Sequence, residues 1–381
     1  MGHEVTFVEM PSVRAALRLG SPLPAMGALG GRPAAREGIR VVRLLPLPGY
    51  LRMPASALAR RWAGRAARRL GLGVPSLGQA VLVVSTPWWV PVVRGLARGL
   101  LLYDYIDHVS VHAGTRHAGT FAAWDAELLS LSDAVVAVSE ALRQDIARRA
   151  PSARVFLIPN GVDQRWVDAP VQGMPRDRLT SRPDRPIAGF LGALFEWVDV
   201  ALLADTARAL PEVEFVLVGP RRRGVGLGAL RALPNVRCFP AQPYHEVPRW
   251  IRSFDVCLIP FKKGVIGACA DPIKLYEYSA LGKPIVSTLE FPRPGDAPPV
   301  TVASTRTEFA EAIQRAVRDP GAERARRIAF ARNQTWQRRA SDLLAAASTV
   351  LRASGRRAPN AGNGLPVAGN GRPHHPGGPK Q

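Results

Sequence analysis

Cysteine is scarce in this chain: its 381 residues include three, Cys238, Cys257 and Cys269, none in a CxxC spacing. That excludes a disulfide framework and argues against a zinc site, and it fits a reducing compartment. Long apolar runs are missing as well. No stretch reaches the ~18 apolar residues of a membrane span. The nearest, Val81 to Tyr103, is interrupted by Pro87, Pro91, Arg94 and Arg98. The opening Met1-Gly2-His3-Glu4 leads straight into a strand-like run, without the layout of a secretory signal. Acidic residues are few, 30 against 51 basic ones, and only five of the bases are lysines. A formal net charge of +21 attracts polyanions: nucleic acid, an anionic membrane face or phosphorylated substrates. A composition inflated together in Arg, Ala, Gly and Pro explains the same charge without any partner, since 35 Gly and 35 Pro accompany it.

What is present is ordinary for a folded protein: 47% hydrophobic and 21% charged residues exclude a fully disordered chain. The end is different. Gly355 to Gln381 holds many Gly and Pro and no acid, and cannot bury enough surface to offset its ordering entropy. His374-His375 within it reads as a solvated pair. Upstream, short apolar runs alternate with amphipathic stretches. Strands are expected at Glu4–Glu9, Ile39–Leu45, Ala80–Val84, Leu100–Ile106, Ala134–Val138 and Val155–Ile158. A second series runs through Ile187–Leu191, Glu214–Val218, Val236–Phe239, Asp255–Ile259, Pro284–Ser287 and Pro299–Val302. Helices are expected between them, among others at Ser139–Arg149, Val200–Leu210 and Asp271–Leu281. Alternation of this kind predicts an α/β protein of two Rossmann-like domains with parallel sheets. The division is placed at 1–170, 171–352 and a tail 353–381, with a proline-bearing seam near Asp163–Arg185. Ligands of open parallel sheets bind beyond the carboxyl ends of the strands, which makes the interdomain cleft the expected site.

Several motifs can be set aside. Gly224-Val225-Gly226-Leu227-Gly228-Ala229 has the glycine spacing of a dinucleotide fingerprint, but five residues separate it from the strand that ends at Val218. It reads as a flexible loop. No Walker A sequence, no G-x-S-x-G elbow and no D-x-D pair occurs, and Asp104-Tyr105-Ile106-Asp107 lacks a dedicated metal-ligand set. Two segments say more. In the first, a strand delivers Ser139, a good N-cap for the helix after it, and the next strand delivers Pro159-Asn160-Gly161-Val162-Asp163, where Asn160-Gly161 suits a positive-φ turn. In the second, a strand ends at Pro260 and a helix begins near Pro272, favoured at N1. Free N–H groups and the positive dipole end then form an anion site. Lys274 adds a charge, and Glu277 lies one turn on, placed to accept hydrogen bonds from vicinal hydroxyls. A phosphate and a diol one turn apart describe a nucleotide diphosphate. An exposed ion pair between Lys274 and Glu277 is the plain alternative.

The two segments together resemble the GT-B glycosyltransferases, specifically the large retaining group of glycosyltransferase family four. The matching phrases are Val138-Ser139-Glu140, Ile158-Pro159-Asn160-Gly161-Val162-Asp163, and Asp271-Pro272 through Lys274, Glu277-Tyr278, Ala280 and Gly282-Lys283-Pro284. Phe190-Leu191-Gly192-Ala193, Val216 to Pro220, Pro234-Asn235-Val236 and Trp336 agree as well. Similarity is nearest to the subgroup of cell-surface polysaccharide synthesis, carried by Gly192 to Asp199 and Tyr103 to Asp107. The resemblance implies a hexosyltransferase that needs no metal and no cofactor and takes a nucleotide-diphosphate sugar as co-substrate. It implies a glycan, lipid-linked or small-molecule acceptor and retention of anomeric configuration. By resemblance Glu277 binds the ribose, Ala270, Asp271, Pro272 and Ile273 present backbone amides to sugar and phosphate, and Lys274 meets the phosphate. The family's first glutamate of a pair falls on Cys269, and Asp271 is the carboxylate nearby. The usual basic pair after the first strand of the second domain is replaced around Glu196 and Trp197, which shifts diphosphate binding toward Lys274 and Arg221 to Arg223.

Gly192 and Arg221 complete the expected donor side. Asp107 and His108 stand where relatives place a polar residue facing the transferred sugar, so Asp107, His108 and Lys274 are the candidate catalytic residues. Ser139 and Asn160 are expected on the acceptor side. The family's first strand and its loop have no counterpart before Glu4, so the first domain is expected to be incomplete and aggregation-prone. A cytoplasmic enzyme is expected, peripheral at the inner face of the plasma membrane. Arg60, Arg61, Arg65, Arg68 and Arg69, interleaved with Leu58, Trp62 and Leu70, read either as a solvated face or as an anionic-lipid dock. A nucleotide-sugar epimerase of the same fold and a non-catalytic basic binder are the alternatives; nucleic acid is not an expected partner, because aromatics barely interleave the basic stretches.

Overall fold

A computed structural model describes residues 5–9, 34–36, 39–43, 80–94, 99–112, 117–168, 172–222, 224–292, 297–319 and 321–354. The basic segment Arg60–Arg69 and the tail from Gly355 lie outside the described residues.

The second half is built on a six-stranded sheet in the order β10-β9-β8-β11-β12-β13. Its strands are β8 (Ile187–Leu191), β9 (Glu214–Val218), β10 (Val236–Phe239), β11 (Val256–Ile259), β12 (Ile285–Ser287) and β13 (Thr301–Val302). All pairings are parallel. β9 and β11 are buried along their whole length, as a parallel sheet covered on both faces requires. Helices Val200–Ala209, Ile273–Ala280 and Arg306–Arg318 supply that cover and join one continuous core around Phe190, Phe215, Phe254 and Phe309. The strand order reverses between β8 and β11, so the loops after these two strands diverge and leave a crevice at their carboxyl ends.

The first half carries a parallel four-stranded sheet, β4-β5-β6-β7, from β4 (Val81–Val84), β5 (Leu100–Tyr105), β6 (Ala134–Ala137) and β7 (Val155–Leu157). A separate three-stranded sheet holds β1 (Val5–Glu9), β2 (Ala34–Arg36) and β3 (Ile39–Arg43) in the order β1-β3-β2, with β2 antiparallel. β2 has no counterpart among the expected strands. Among the described residues β1 and β4 are each the terminal strand of their sheet.

One element crosses back. The C-terminal helix Trp336–Ala353 packs Ala346, Ala347, Val350 and Leu351 against Leu100, Leu102, Ala134 and Val136 of the first sheet. Although it falls within the stretch 171–352, the helix's apolar stripe thus buries against the first sheet. The crossing is pinned by backbone bonds, Val162 N–H to Gln334 O at 2.9 Å and Trp336 N–H to Val162 O at 3.0 Å. Gly161 sits beneath this crossing, and a Cβ there would lie 3.0 Å from Gln334 O. Neither Asn160 nor Gly161 adopts a positive φ, so close chain approach, not a left-handed turn, is what requires the glycine.

Candidate active site

The crevice of the second sheet is shaped by two glycines that need their missing side chains. Gly219, at φ 151°, follows β9, and a Cβ on it would stand 2.0 Å from Gly192 O. Gly192, at φ 152°, follows β8, and a Cβ on it would meet Lys274 Cε at 3.0 Å and Nζ at 3.1 Å. By contrast a Cβ on Gly224, Gly226 or Gly228 would meet nothing within 4 Å, and the short helix Gly228–Arg231 that follows starts well beyond the end of β9 at Val218. The loop after β8 is tied to the loop after β11 by Asp199 N–H to Pro260 O at 2.8 Å and Lys262 N–H to Trp197 O at 2.7 Å.

Lys274 lies in the first turn of the Ile273–Ala280 helix. Its ammonium sits over the rings of Phe190 and Phe261, 5.4 Å and 5.0 Å from their centroids. Burial lowers its pKa to about 8, opposed by the charge of Glu277. Glu277, one turn further, is buried, and burial pushes its carboxyl up to about 7 against the pull of Lys274 and of the Tyr244 hydroxyl. The exposed ion pair is therefore not what forms: Glu277 is buried and Lys274 half-buried, with their pKa values drawn together. Pro272 takes the N-cap, one position before the expected N1, and offers no side-chain cap. Ile273 is exposed at the helix start. Tyr244, which no motif singles out, faces Glu277 and seats its ring 5.0 Å from that of Trp166.

The remaining candidates distribute differently. Glu196 is exposed and pairs with Arg222 at 3.2 Å, while Arg222 also lies over the Phe195 ring. Arg221 is exposed beside it, and Leu194 bridges to Arg221 through the backbone. Asp271, the carboxylate nearest to Cys269 in the expected site, is buried and engaged within the protein. It accepts from Asn160 N–H at 2.7 Å and from the Tyr276 hydroxyl at 2.9 and 2.8 Å. The Asn160 amide donates to Asp271 O at 2.6 Å. Ser139 caps the Glu140–Arg149 helix, accepting from Leu142 N–H at 3.2 Å, and donates to Cys269 O at 2.8 Å. Ser139 and Asn160 thus engage the loop that leads into the Lys274 helix, each through a side-chain bond to its backbone. Cys269 itself packs into the core of the first sheet, among residues such as Tyr105 and Leu142, and Ala270 is half-buried between these contacts.

On the first-domain side Asp107 is exposed and His108 is held at both ring nitrogens. Ser110 N–H donates to Nδ1 at 3.2 Å, and Nε2 lies 3.5 Å from Asp145 Oδ2. Behind this pair, Arg149 joins Asp145, Asp125 and the Tyr105 hydroxyl, and the Tyr103 hydroxyl donates to Asp125 at 2.7 Å. The turn Val109–His112 after His108 packs against the Val265–Cys269 helix of the second half, which brings the two loop sets together. Among the described residues no cluster of His, Cys, Asp and Glu has the geometry to hold a metal ion.

Residues 1–166 match the family described as Glycosyltransferase Family 4, and residues 185–319 match the one described as Glycosyl transferases group 1. Between them these two glycosyltransferase models span most of the chain. A protein named as a teichuronic acid biosynthesis glycosyltransferase, TuaH of Bacillus subtilis strain 168, is 29% identical over 166 residues, 42% of this chain. The match spans 41% of that relative's length. Among solved structures, the sucrose-phosphate synthase of Thermosynechococcus elongatus superposes with a TM-score of 0.63 at 15% identity, over 92% of this chain and 99% of that one. HepE of Anabaena, solved with UDP and glucose, gives 0.60 at 15% identity, covering 81% of this chain and 86% of its own. The trehalose 6-phosphate synthase of Burkholderia multivorans gives 0.63 at 13% identity, over 93% and 100%. At such identities the likeness is one of fold, and the fold is GT-B: this glycosyltransferase has two Rossmann-like domains whose loops meet at the Lys274 helix.

Proposed function

We propose that this glycosyltransferase binds a nucleotide-diphosphate sugar against the second sheet and passes its hexosyl group to an acceptor held from the first-domain side. The observation that carries the reading is the juxtaposition of Gly192, Lys274 and Glu277 at the carboxyl end of β8. It supplies an open backbone approach, a desolvated cation and, one helical turn away, a buried carboxylate. The diphosphate lies over Gly192 and the free N–H groups of Ile273 and Lys274, with the Lys274 ammonium beside it. The ribose diol donates to Glu277. Arg221, exposed on the neighbouring loop, adds charge at the phosphate end, and Asp107 and His108 face the sugar.

In the reaction the bond between the anomeric carbon and the diphosphate oxygen breaks, and its electron pair stays on the diphosphate. The acceptor oxygen bonds to the anomeric carbon and loses its proton. Charge develops on the leaving group, where the Lys274 ammonium and the helix N–H groups are already oriented, so little reorganisation accompanies it. Closing the cleft keeps water from competing with the acceptor. Retention of configuration and a metal-independent step are part of the proposal and rest on the family resemblance. HepE, titled as a complex with UDP and glucose, supports a uridine nucleotide. TuaH, named for teichuronic acid biosynthesis, supports a cell-surface glycan or lipid-linked acceptor. No helix among the described residues is long and apolar enough to cross a membrane. We place the enzyme in the cytoplasm, at the inner face of the plasma membrane. The test is a thermal shift with UDP and with GDP, without added metal, in the parent and in Glu277→Ala. One nucleotide should stabilise the parent, and the variant should lose about tenfold or more in affinity, as removing a charged acceptor implies. Equal binding by both proteins would reject the site.

A further inference from the structure

We propose that Asn160 is a positioning residue of the donor site: reaching from the first half, it fixes the Asp271 loop from which the Lys274 helix starts. This rests on the donor reading above and adds to it a dependence on the opposite domain. Asn160 follows β7, and two of its groups act at once. Its N–H donates to the Asp271 carboxylate at 2.7 Å and its side-chain amide to Asp271 O at 2.6 Å. The carboxylate is held from its own side by the Tyr276 hydroxyl, 2.9 and 2.8 Å away, so Asp271 ties the first half to the helix it precedes. Two residues earlier, Cys269 O accepts from Ser139 at 2.8 Å, and the Cys269 side chain is buried in the first sheet's core. Asn160 is itself braced, because Arg339 of the returning C-terminal helix donates to Asn160 O at 3.2 Å.

The consequence is mechanical. The N–H groups and the ammonium that meet a diphosphate belong to residues 273 and 274, immediately after the clamped segment 269–271. If that segment is released, the first turn of the helix loses its reference, although no group that touches the donor has been altered. Donor affinity is thereby coupled to contact between the halves: what holds the loop in place raises affinity, and by linkage a bound donor holds the halves together.

The three cysteines make the idea measurable. Cys269 lies at the clamp, whereas Cys257 is fully buried in β11, inside the second core. Alkylation of Cys269 reports opening of the clamp, and alkylation of Cys257 reports global unfolding. The experiment uses the full chain, with Asn160→Ala and Asn160→Asp, the latter keeping the shape but losing the donated bond to Asp271 O. The probe is UDP or GDP, whichever the parent binds. Expected are a five- to tenfold weaker nucleotide affinity in both variants and a several-fold faster modification of Cys269, read by mass spectrometry. Cys257 should stay as slow as in the parent, and nucleotide should slow Cys269 in the parent. Unchanged affinity in both variants overturns the proposal, even with Glu277→Ala inactive, and so does equal acceleration of Cys257 and Cys269, the mark of a merely structural role. A parent that binds neither nucleotide removes the donor reading itself, and this inference with it.

Discussion

Replacing Glu277 by Gln tests the donor site through its electrostatics, since glutamine keeps the shape and deletes the charge. In the parent, burial holds the Glu277 proton up to about 7, with the Lys274 charge and the Tyr244 hydroxyl pulling it down. Burial brings Lys274 down to about 8, with Glu277 pulling it up. Ribose hydroxyls need the carboxylate as acceptor and a diphosphate needs the ammonium. Affinity for a nucleotide sugar should therefore rise with pH to about 7, hold to about 8 and fall beyond it. Each pH unit below the acid limb removes about nine-tenths of the ionised carboxylate, so near pH 5 the affinity should be about a hundredfold below its maximum.

Folding stability follows the opposite slope. The folded value is raised above the ordinary 4.5, so the contribution of Glu277 is complete below about 4.5 and is lost as pH climbs through about 7. The loss is on the order of 3 kcal/mol. Calorimetric titration with UDP-glucose, or with GDP-mannose if guanine is preferred, measures the first slope, since their esterified phosphates do not titrate in this range. Thermal unfolding measures the second. Glu277→Gln should bind more weakly at neutral pH, lack the acid limb and be more stable than the parent near pH 8. A parent affinity that stays flat between about pH 5 and 7, or a variant that keeps the acid limb, would refute the reasoning.

Lys274→Met should weaken nucleoside diphosphates by about tenfold or more while leaving nucleosides almost unaffected, as competition titrations with UDP and uridine will read, because a charge-assisted contact to phosphate is what it removes. Gly192→Ala should cost comparable affinity, since its Cβ would press on Lys274 at 3.0 Å from a strained φ of 152°. Gly219→Ala should fail at an earlier stage, in the yield of folded protein, because its Cβ would stand 2.0 Å from the backbone of Gly192. Val350→Asp places an unpaired carboxylate in the cluster of Leu100 and Leu102. It should lower stability by about 3 kcal/mol or more, seen as an earlier unfolding transition.

Where the sequence was legible, one short window held the whole physical cause. β8, β9 and β11 are runs of largely buried residues, each followed by Gly or Pro, and the spacing of Lys274 and Glu277 sets them one turn apart. The capping role of Ser139 was legible for the same reason, since Leu142 N–H lies three residues on. A hydroxyl both accepts and donates, however, and its second bond reaches Cys269 in the other half of the chain. Nothing near Ser139 encodes that partner. Gly161 shows the same limit from another direction. Beside Asn160 it reads as a turn glycine, yet its backbone is not left-handed and its lack of a side chain answers to Gln334 and Thr335 passing overhead. The returning helix explains both: it brings Gln334 over Gly161 and Arg339 to Asn160, and it lays an apolar stripe on a sheet that its position in the sequence had assigned to another domain. Periodicity determines that such a stripe must be buried; it does not say against which sheet. The second sheet already has helices of its own on it, and the stripe is buried instead against Leu100, Leu102 and Val136 of the first.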